Sequence, residues 1–194
     1  MKTRRINRTT SRTAQWTCVS RAASSLERDP HYRSGDLLAL ELVPGPLRRL
    51  LHVPPARRFF SRILAPRGIY EYVIARTKAI DTVFLEALED GLDQILIFGA
   101  GFDTRALRFG PKASETTIFE LDAEPTQRAK LEQYRRRGLQ LPPNLVFVPI
   151  DFDRDSLRDA LSRSGFRGGA RSRFLLEGVL MYLQPESVDV TLRT

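Results

Sequence analysis

The sequence predicts an α/β fold with a doubly wound, mainly parallel sheet, and three observations carry the prediction. Short apolar runs of strand length alternate with stretches of helical periodicity, the pattern that parallel sheets with helices on both faces require. The first run, Ile95-Leu-Ile-Phe98, breaks into Gly99-Ala-Gly101 and then Asp103-Thr104, so a buried strand turns sharply and a capped helix follows. The second, Thr116 to Asp122, ends in an acid 23 residues past Gly99, the distance at which α/β folds place the carboxylate that holds a ribose.

The elements follow in order. Pro44-Gly-Pro46, Pro54-Pro55 and Pro66 punctuate the region before residue 69, which predicts short helices joined by turns. Ile80, Val83, Phe84, Ala87 and Leu88 fall at helical spacing, and Gly91 sits where a left-handed residue would close that helix. After Asp122, Pro125 suits a first helical turn, and the helix runs from Thr126 to Arg137 until Gly138 stops it. Its Arg128, Lys130, Arg135, Arg136 and Arg137 read as a solvated face. Leu145 to Ile150 make a third strand ending in Asp151-Phe-Asp153, a helix runs from Asp153 to Ser164, and Arg173 to Glu177 make a fourth strand. Right-handed crossovers then bring Gly99, Gly101, Asp122, Asp151 and Glu177 to one edge of the sheet, where such folds bind ligands. Three carboxylates on one edge exceed what core packing asks for, because an unpaired buried charge is costly, and they point to a polar, hydrogen-bonding ligand.

Composition narrows the class. With 194 residues and 42% hydrophobic content the chain can bury a core, and no stretch approaches the length of a membrane span, so a cytoplasmic protein with no membrane partner is expected. One cysteine, Cys18, excludes an internal disulfide, and His31 and His52 have no ligand-spaced neighbours, so no metal site is expected. The net charge of +8 is uneven: residues 1–70 hold fourteen Lys or Arg against four acids, and residues 71–194 hold seventeen against nineteen. The chain divides accordingly into 1–68, a basic N-terminal arm and helical lid region, and 69–194, an α/β cofactor-binding domain. The first 26 residues contain no acid. They read as a partly mobile basic arm or as a positive lid over a site for an anionic substrate, and their Arg, Ser and Thr content also overlaps that of a transit peptide. Trp16 is the only aromatic before Tyr32, a poor stacking platform for nucleic acid.

Five motifs in the same order resemble the leucine carboxyl methyltransferase family of class I S-adenosylmethionine-dependent methyltransferases, together with its bacterial small-molecule O-methyltransferase relatives. They are Ala75-Arg-Thr-Lys-Ala-Ile-Asp81, Leu96 to Arg105, Phe119-Glu-Leu-Asp122, Ile150-Asp-Phe152 and Leu176-Glu-Gly-Val-Leu-Met-Tyr-Leu183. The resemblance implies a Rossmann-like sheet and S-adenosyl-L-methionine as cofactor. It implies that Arg76 pairs with the methionine carboxylate, that Gly99 and Gly101 shape the turn against the cofactor, and that Asp122 accepts from both ribose hydroxyls. It further implies that Asp151 and Phe152 read the adenine and that Glu177 lies beside the methionine portion. Two departures stand out. Ala123-Glu124 precede Pro125, which shifts the start of that helix by one residue, and the chain stops at Thr194, so the family's C-terminal strands are expected to be missing.

The implied reaction is O-methylation of a small molecule, most simply of a carboxylate, which needs no general base; hydroxyl acceptors would need one, and the sequence offers no catalytic residue for it. The rival readings are an NAD-dependent oxidoreductase, disfavoured by Thr104 in place of a third glycine, an RNA-modifying methyltransferase, and a non-catalytic truncated domain.

Overall fold

A computed structural model describes residues 10–61 and 68–193. Four strands, β1 (Gln94–Phe98), β2 (Thr117–Asp122), β3 (Leu145–Pro149) and β4 (Ser172–Leu176), form one all-parallel sheet in the order β3-β2-β1-β4. The chain runs outward from β1 to β2 to β3 and then crosses back to place β4 on the free side of β1. The gap between β1 and β4 is therefore the switch point of the sheet, where a crevice opens beyond the strand ends. Register levels those ends: Phe98 lies opposite both Leu121 and Leu176, so Gly99, Asp122 and Glu177 each come one residue later, on a common rim.

Strand alternation divides the core. Ile95 and Ile97 of β1 pack with Phe84 and Ala87 of the 21-residue helix α5 (Ile69–Glu89), whereas Leu96 and Phe98 pack with Leu157, Ala160 and Leu161 of α8 (Leu157–Arg163). Gly91, at a φ of 62°, closes α5 as its position in the sequence predicts. The proline-punctuated region forms the short helices α2 (Ala39–Leu42), α3 (Gly45–Leu51) and α4 (Pro54–Phe59), with Pro54 opening the last of them; Pro66 lies outside the described residues. Helix α6 (Arg105–Phe109) follows β1, and α7 (Glu124–Arg136) follows β2 with Pro125 in its first turn. Helix α8 starts four residues after Asp153, because Asp151 to Asp155 form a turn in which the Asp155 carboxylate accepts from the Asp151 N–H at 2.8 Å. Helix α9 (Pro185–Arg193) ends the described chain.

Two readings of the sequence are corrected. Lys130 is not part of a solvated face: it is wholly buried, with Nζ 2.6 Å from Glu120 Oε2. The side of α7 that meets the sheet carries Thr126, Gln127, Lys130 and Tyr134, and Glu120 points to that side from the middle of β2, so the lysine supplies the counter-charge a buried carboxylate needs. Burial pushes the Glu120 carboxyl up to about 7 against the pull of Lys130. Arg137 is also partly buried and donates to the Glu41 carbonyl at 3.3 Å.

The basic arm is, beyond the undescribed residues 1–9, a packed helix. Helix α1 (Arg12–Ser25) is capped by Ser11, whose hydroxyl accepts from the Ala14 N–H, and it buries Cys18, Val19, Ala22 and Ala23 in a core shared with Leu42, Leu51, Tyr70, Ile74, Phe102 and Tyr134. Charge counting missed this because Arg21, one of the two cations in the helix, is turned inward and paired.

Candidate functional site

A cleft of about 680 Å³ opens over the rim between β1 and β4, within the range of small-molecule and cofactor sites. Arg76, Gly99, Gly101, Asp122, Asp151, Phe152 and Glu177 all line it. One side is closed by α1 and the residue before it, through Ser11, Thr13, Ala14, Thr17 and Arg21, and the other by the segment after β4, whose Tyr182 hydroxyl donates to Thr13 Oγ1 at 3.0 Å.

The glycine turn is tight for reasons that lie partly in the protein itself. Gly99 and Gly101 have φ of 62° and 53°, conformations that a side chain disfavours. A Cβ on Gly99 would lie 2.7 Å from Cβ of Val179, and one on Gly101 would lie 2.9 Å from Cβ of Ala14, so both glycines admit a neighbouring segment as well as a ligand. Asp122 holds this turn in place. Its Oδ2 accepts from the Gly101 N–H and its Oδ1 from the Ala123 N–H at 2.6 Å, leaving each oxygen with further acceptor capacity. Burial shifts its carboxyl upward, opposed by these two bonds.

Arg76 reaches the rim from α5. Its Nε donates to Glu177 Oε1 at 2.8 Å, its guanidinium lies 5.2 Å from the Tyr72 ring centre, and among the described residues its two terminal nitrogens have no hydrogen-bond partner. A cation with two unused donors facing a cleft suits a bidentate carboxylate. Glu177 accepts on its other oxygen from Arg105 at 2.9 Å, so its own charge is met twice by protein. At the far end Phe152 stacks on Phe98 with ring centres 5.8 Å apart, forming an apolar flank beside Asp151. Asp151 in turn accepts from the Asp153 N–H at 3.1 Å.

Beneath the rim lies a charge network that the sequence did not disclose. Arg105, with a side chain 2% exposed, donates to Asp81 at 2.7 Å, to Asp103 and to Glu177. Arg108 grips Asp81 with both terminal nitrogens at 2.7 and 2.9 Å. Asp36 accepts from Arg21 at 2.9 Å and from Thr104 at 2.7 Å, and Arg21 also donates to the Phe102 carbonyl at 2.6 Å. Thr104 stands at the N-cap of α6 without a side-chain capping bond, and the Asp103 carboxylate accepts from the Arg105 N–H at 2.7 Å. Phe102, Asp103 and Thr104 are thus each tied to a different element, which fixes the turn against which a ligand would lie.

The model of the leucine carboxyl methyltransferase family matches residues 14–194. The chain belongs to this family. Among its relatives is a protein of Mycobacterium ulcerans (strain Agy99), 30% identical over 184 residues that cover 91% of this chain and 58% of that one. A protein of Mycobacterium avium (strain 104) is 34% identical over 66% of this chain and 40% of its own length, and one of Mycolicibacterium gilvum (strain PYR-GCK) is 40% identical over 61% and 47%. All three carry the name "Putative S-adenosyl-L-methionine-dependent methyltransferase". The chain spans about half the length of these relatives.

For this family member the buried network sets an acid limit. Burial alone would raise the Asp103 carboxyl, but Arg105, Lys130 and Arg21 outweigh it and hold it down at about 2. An acid whose folded value lies below its unfolded value contributes stability that is complete above about pH 4 and is lost as pH falls through 2. From the size of the shift, about 2 kcal/mol of unfolding free energy disappears over that window. Urea titrations from pH 5 down to pH 2 should show this loss, and Asp103→Asn should flatten the slope.

Proposed function

We propose that the protein is an S-adenosyl-L-methionine-dependent O-methyltransferase whose acceptor is a small molecule, in the first place a carboxylic acid. The α/β part from residue 69 holds the cofactor, and Thr10 to Arg21 of the N-terminal part cover it and shape the acceptor side. The observation that carries this reading is the convergence of four strand ends and Arg76 on one cleft, with donors and acceptors that match the parts of the cofactor. Asp122 offers acceptors to the two ribose hydroxyls, Asp151 and the Phe152 backbone face the adenine, and the terminal nitrogens of Arg76 take the methionine carboxylate. Glu177 holds Arg76 in place through the Nε bond, beside the methionine portion. The names of the mycobacterial relatives support the cofactor.

When bound, the cofactor supplies a methyl group on a positively charged sulfur, a good leaving group. Asp122, Asp151 and Arg76 would hold it so that the methyl could pass in line to an acceptor oxygen in the cleft, the sulfur keeping the electron pair of the broken bond. An ionised carboxylate is already nucleophilic at neutral pH, so the protein need only align the partners and exclude water, and alignment alone is worth on the order of 7 to 11 kcal/mol. Helix α1 suits the second task, since it walls one side of the cleft and brings the exposed Arg12 to its lining, where its charge favours an anionic acceptor. No side chain is assigned as a base.

Thermal unfolding tests the reading against its nearest rival. S-adenosylhomocysteine should raise the melting temperature and NAD should not, because only a ligand that binds the native state stabilises it. The reverse result would make the protein a nicotinamide-binding one.

Arg76→Lys should weaken S-adenosylhomocysteine about tenfold, since a lysine cannot keep the Glu177 bond and also present a fork. Calorimetric titration reads the change. Unaltered affinity in both Arg76→Lys and Arg76→Ala would remove this residue from the site.

A further inference from the structure

The outer surface of α3 and α4 carries a chemistry that the cleft does not use. From Leu42 to Ser61 the sequence contains four arginines and no acid. Leu51, Arg57 and Phe60 turn inward, and the surface left outside bears Arg49, Leu50, His52, Val53, Arg58 and Phe59. Leu50, Val53 and Phe59 are 51%, 48% and 51% exposed. Arg48 and Arg57 are paired with Glu41 and Glu27, while Arg49 and Arg58 have no acidic partner among the described residues. On its inner side α3 turns Leu47 toward a second cavity of about 340 Å³, which Trp16, Val19, Val43 and Phe60 also line and which α1 separates from the cleft.

We propose that this face docks on an anionic lipid bilayer. Cations interleaved with exposed apolar side chains on short helices match the membrane interface, where apolar groups enter the acyl boundary and arginines remain at the phosphates. A nucleic acid would match the charge but not the aliphatic side chains, and Phe59 is the single exposed aromatic on α3 and α4 with which to stack. No helix among the described residues is long and apolar enough to cross a membrane, so the contact is peripheral. The expectation of no membrane partner drawn from the sequence rested on spanning length, which does not bear on surface docking.

The test is co-sedimentation of the whole chain with vesicles of phosphatidylcholine alone and of equimolar phosphatidylcholine and phosphatidylglycerol, with a single-stranded RNA as competitor. Binding to the mixed vesicles, weak binding to the neutral ones, and loss of binding as salt rises are expected. Arg49→Gln with Arg58→Gln should weaken binding about 25-fold, at about fivefold for each arginine, and Leu50→Ser with Phe59→Ser should weaken it independently of salt. All four positions are exposed and outside the cleft, so S-adenosylhomocysteine affinity and melting temperature should stay as in the parent; this separates failure of the docking surface from failure of the cofactor reading. No binding to the mixed vesicles, equal binding to both kinds, equal binding by the variants, or displacement by RNA at low concentration would each overturn the proposal.

Discussion

Arg105→Met should lower the unfolding free energy by about 3 to 5 kcal/mol, the range for removing one partner of a buried ion pair, and is the most damaging single change expected in this chain. The guanidinium is sealed from water and donates to three carboxylates at once, so its loss leaves Asp103 buried without its main counter-charge and strips Glu177 and Asp81 of one partner each. Asp103 also accepts from the first N–H of α6 and Glu177 holds Arg76, so the damage reaches the glycine turn and the rim together. Arg105→Lys keeps the charge but cannot span Asp81, Asp103 and Glu177, and should recover less than half of the loss. Urea unfolding of the three proteins reads this directly. A change below about 1 kcal/mol in Arg105→Met would mean that the network is no stronger than a set of surface ion pairs.

Asp122→Ala should weaken S-adenosylhomocysteine by tens of fold or more. One carboxylate accepting two ribose hydroxyls makes charge-assisted bonds worth about 1.5 to 3 kcal/mol each, and here the same carboxylate also pins the N–H groups of Gly101 and Ala123. Removing it therefore loses ligand contacts and loosens the turn. Asp122→Asn separates the two effects, since its side-chain oxygen can still accept from one backbone N–H while the charge is gone. Calorimetry on folded variants that bound as tightly as the parent would exclude Asp122 from the site.

The sheet was legible in the sequence because each strand announces itself locally. Ile95 to Phe98 is apolar and partly β-branched, and Gly99, Asp122 and Glu177 terminate their strands in residues that a core would not choose. Once the strands are parallel, the handedness of crossovers puts those ends together without any knowledge of contacts. The network beneath them was not legible, because nothing local distinguishes Asp36, Asp81 or Arg108 from surface charges; each is defined by a partner tens of residues away. Lys130 shows the same limit from the other side. Among the cations of α7 it alone meets the sheet squarely, and the available clue was Glu120 in the middle of an otherwise apolar strand, an acid that had to find a cation. Helix α1 was obscured by its terminal charge and by an apolar face made of small residues, Ala14, Cys18, Ala22 and Ala23, whose value lies in close approach to the glycine turn and the core.

The central claim is that one cleft, at the switch point between β1 and β4, holds S-adenosyl-L-methionine. A crystal structure of the chain with S-adenosylhomocysteine tests it most directly. The ribose hydroxyls are expected on Asp122, the adenine between Asp151 and Phe152, and the methionine carboxylate on the terminal nitrogens of Arg76, with α1 beside the ligand. Ligand density elsewhere on the molecule, or in the cleft with the ribose turned away from Asp122, would contradict it.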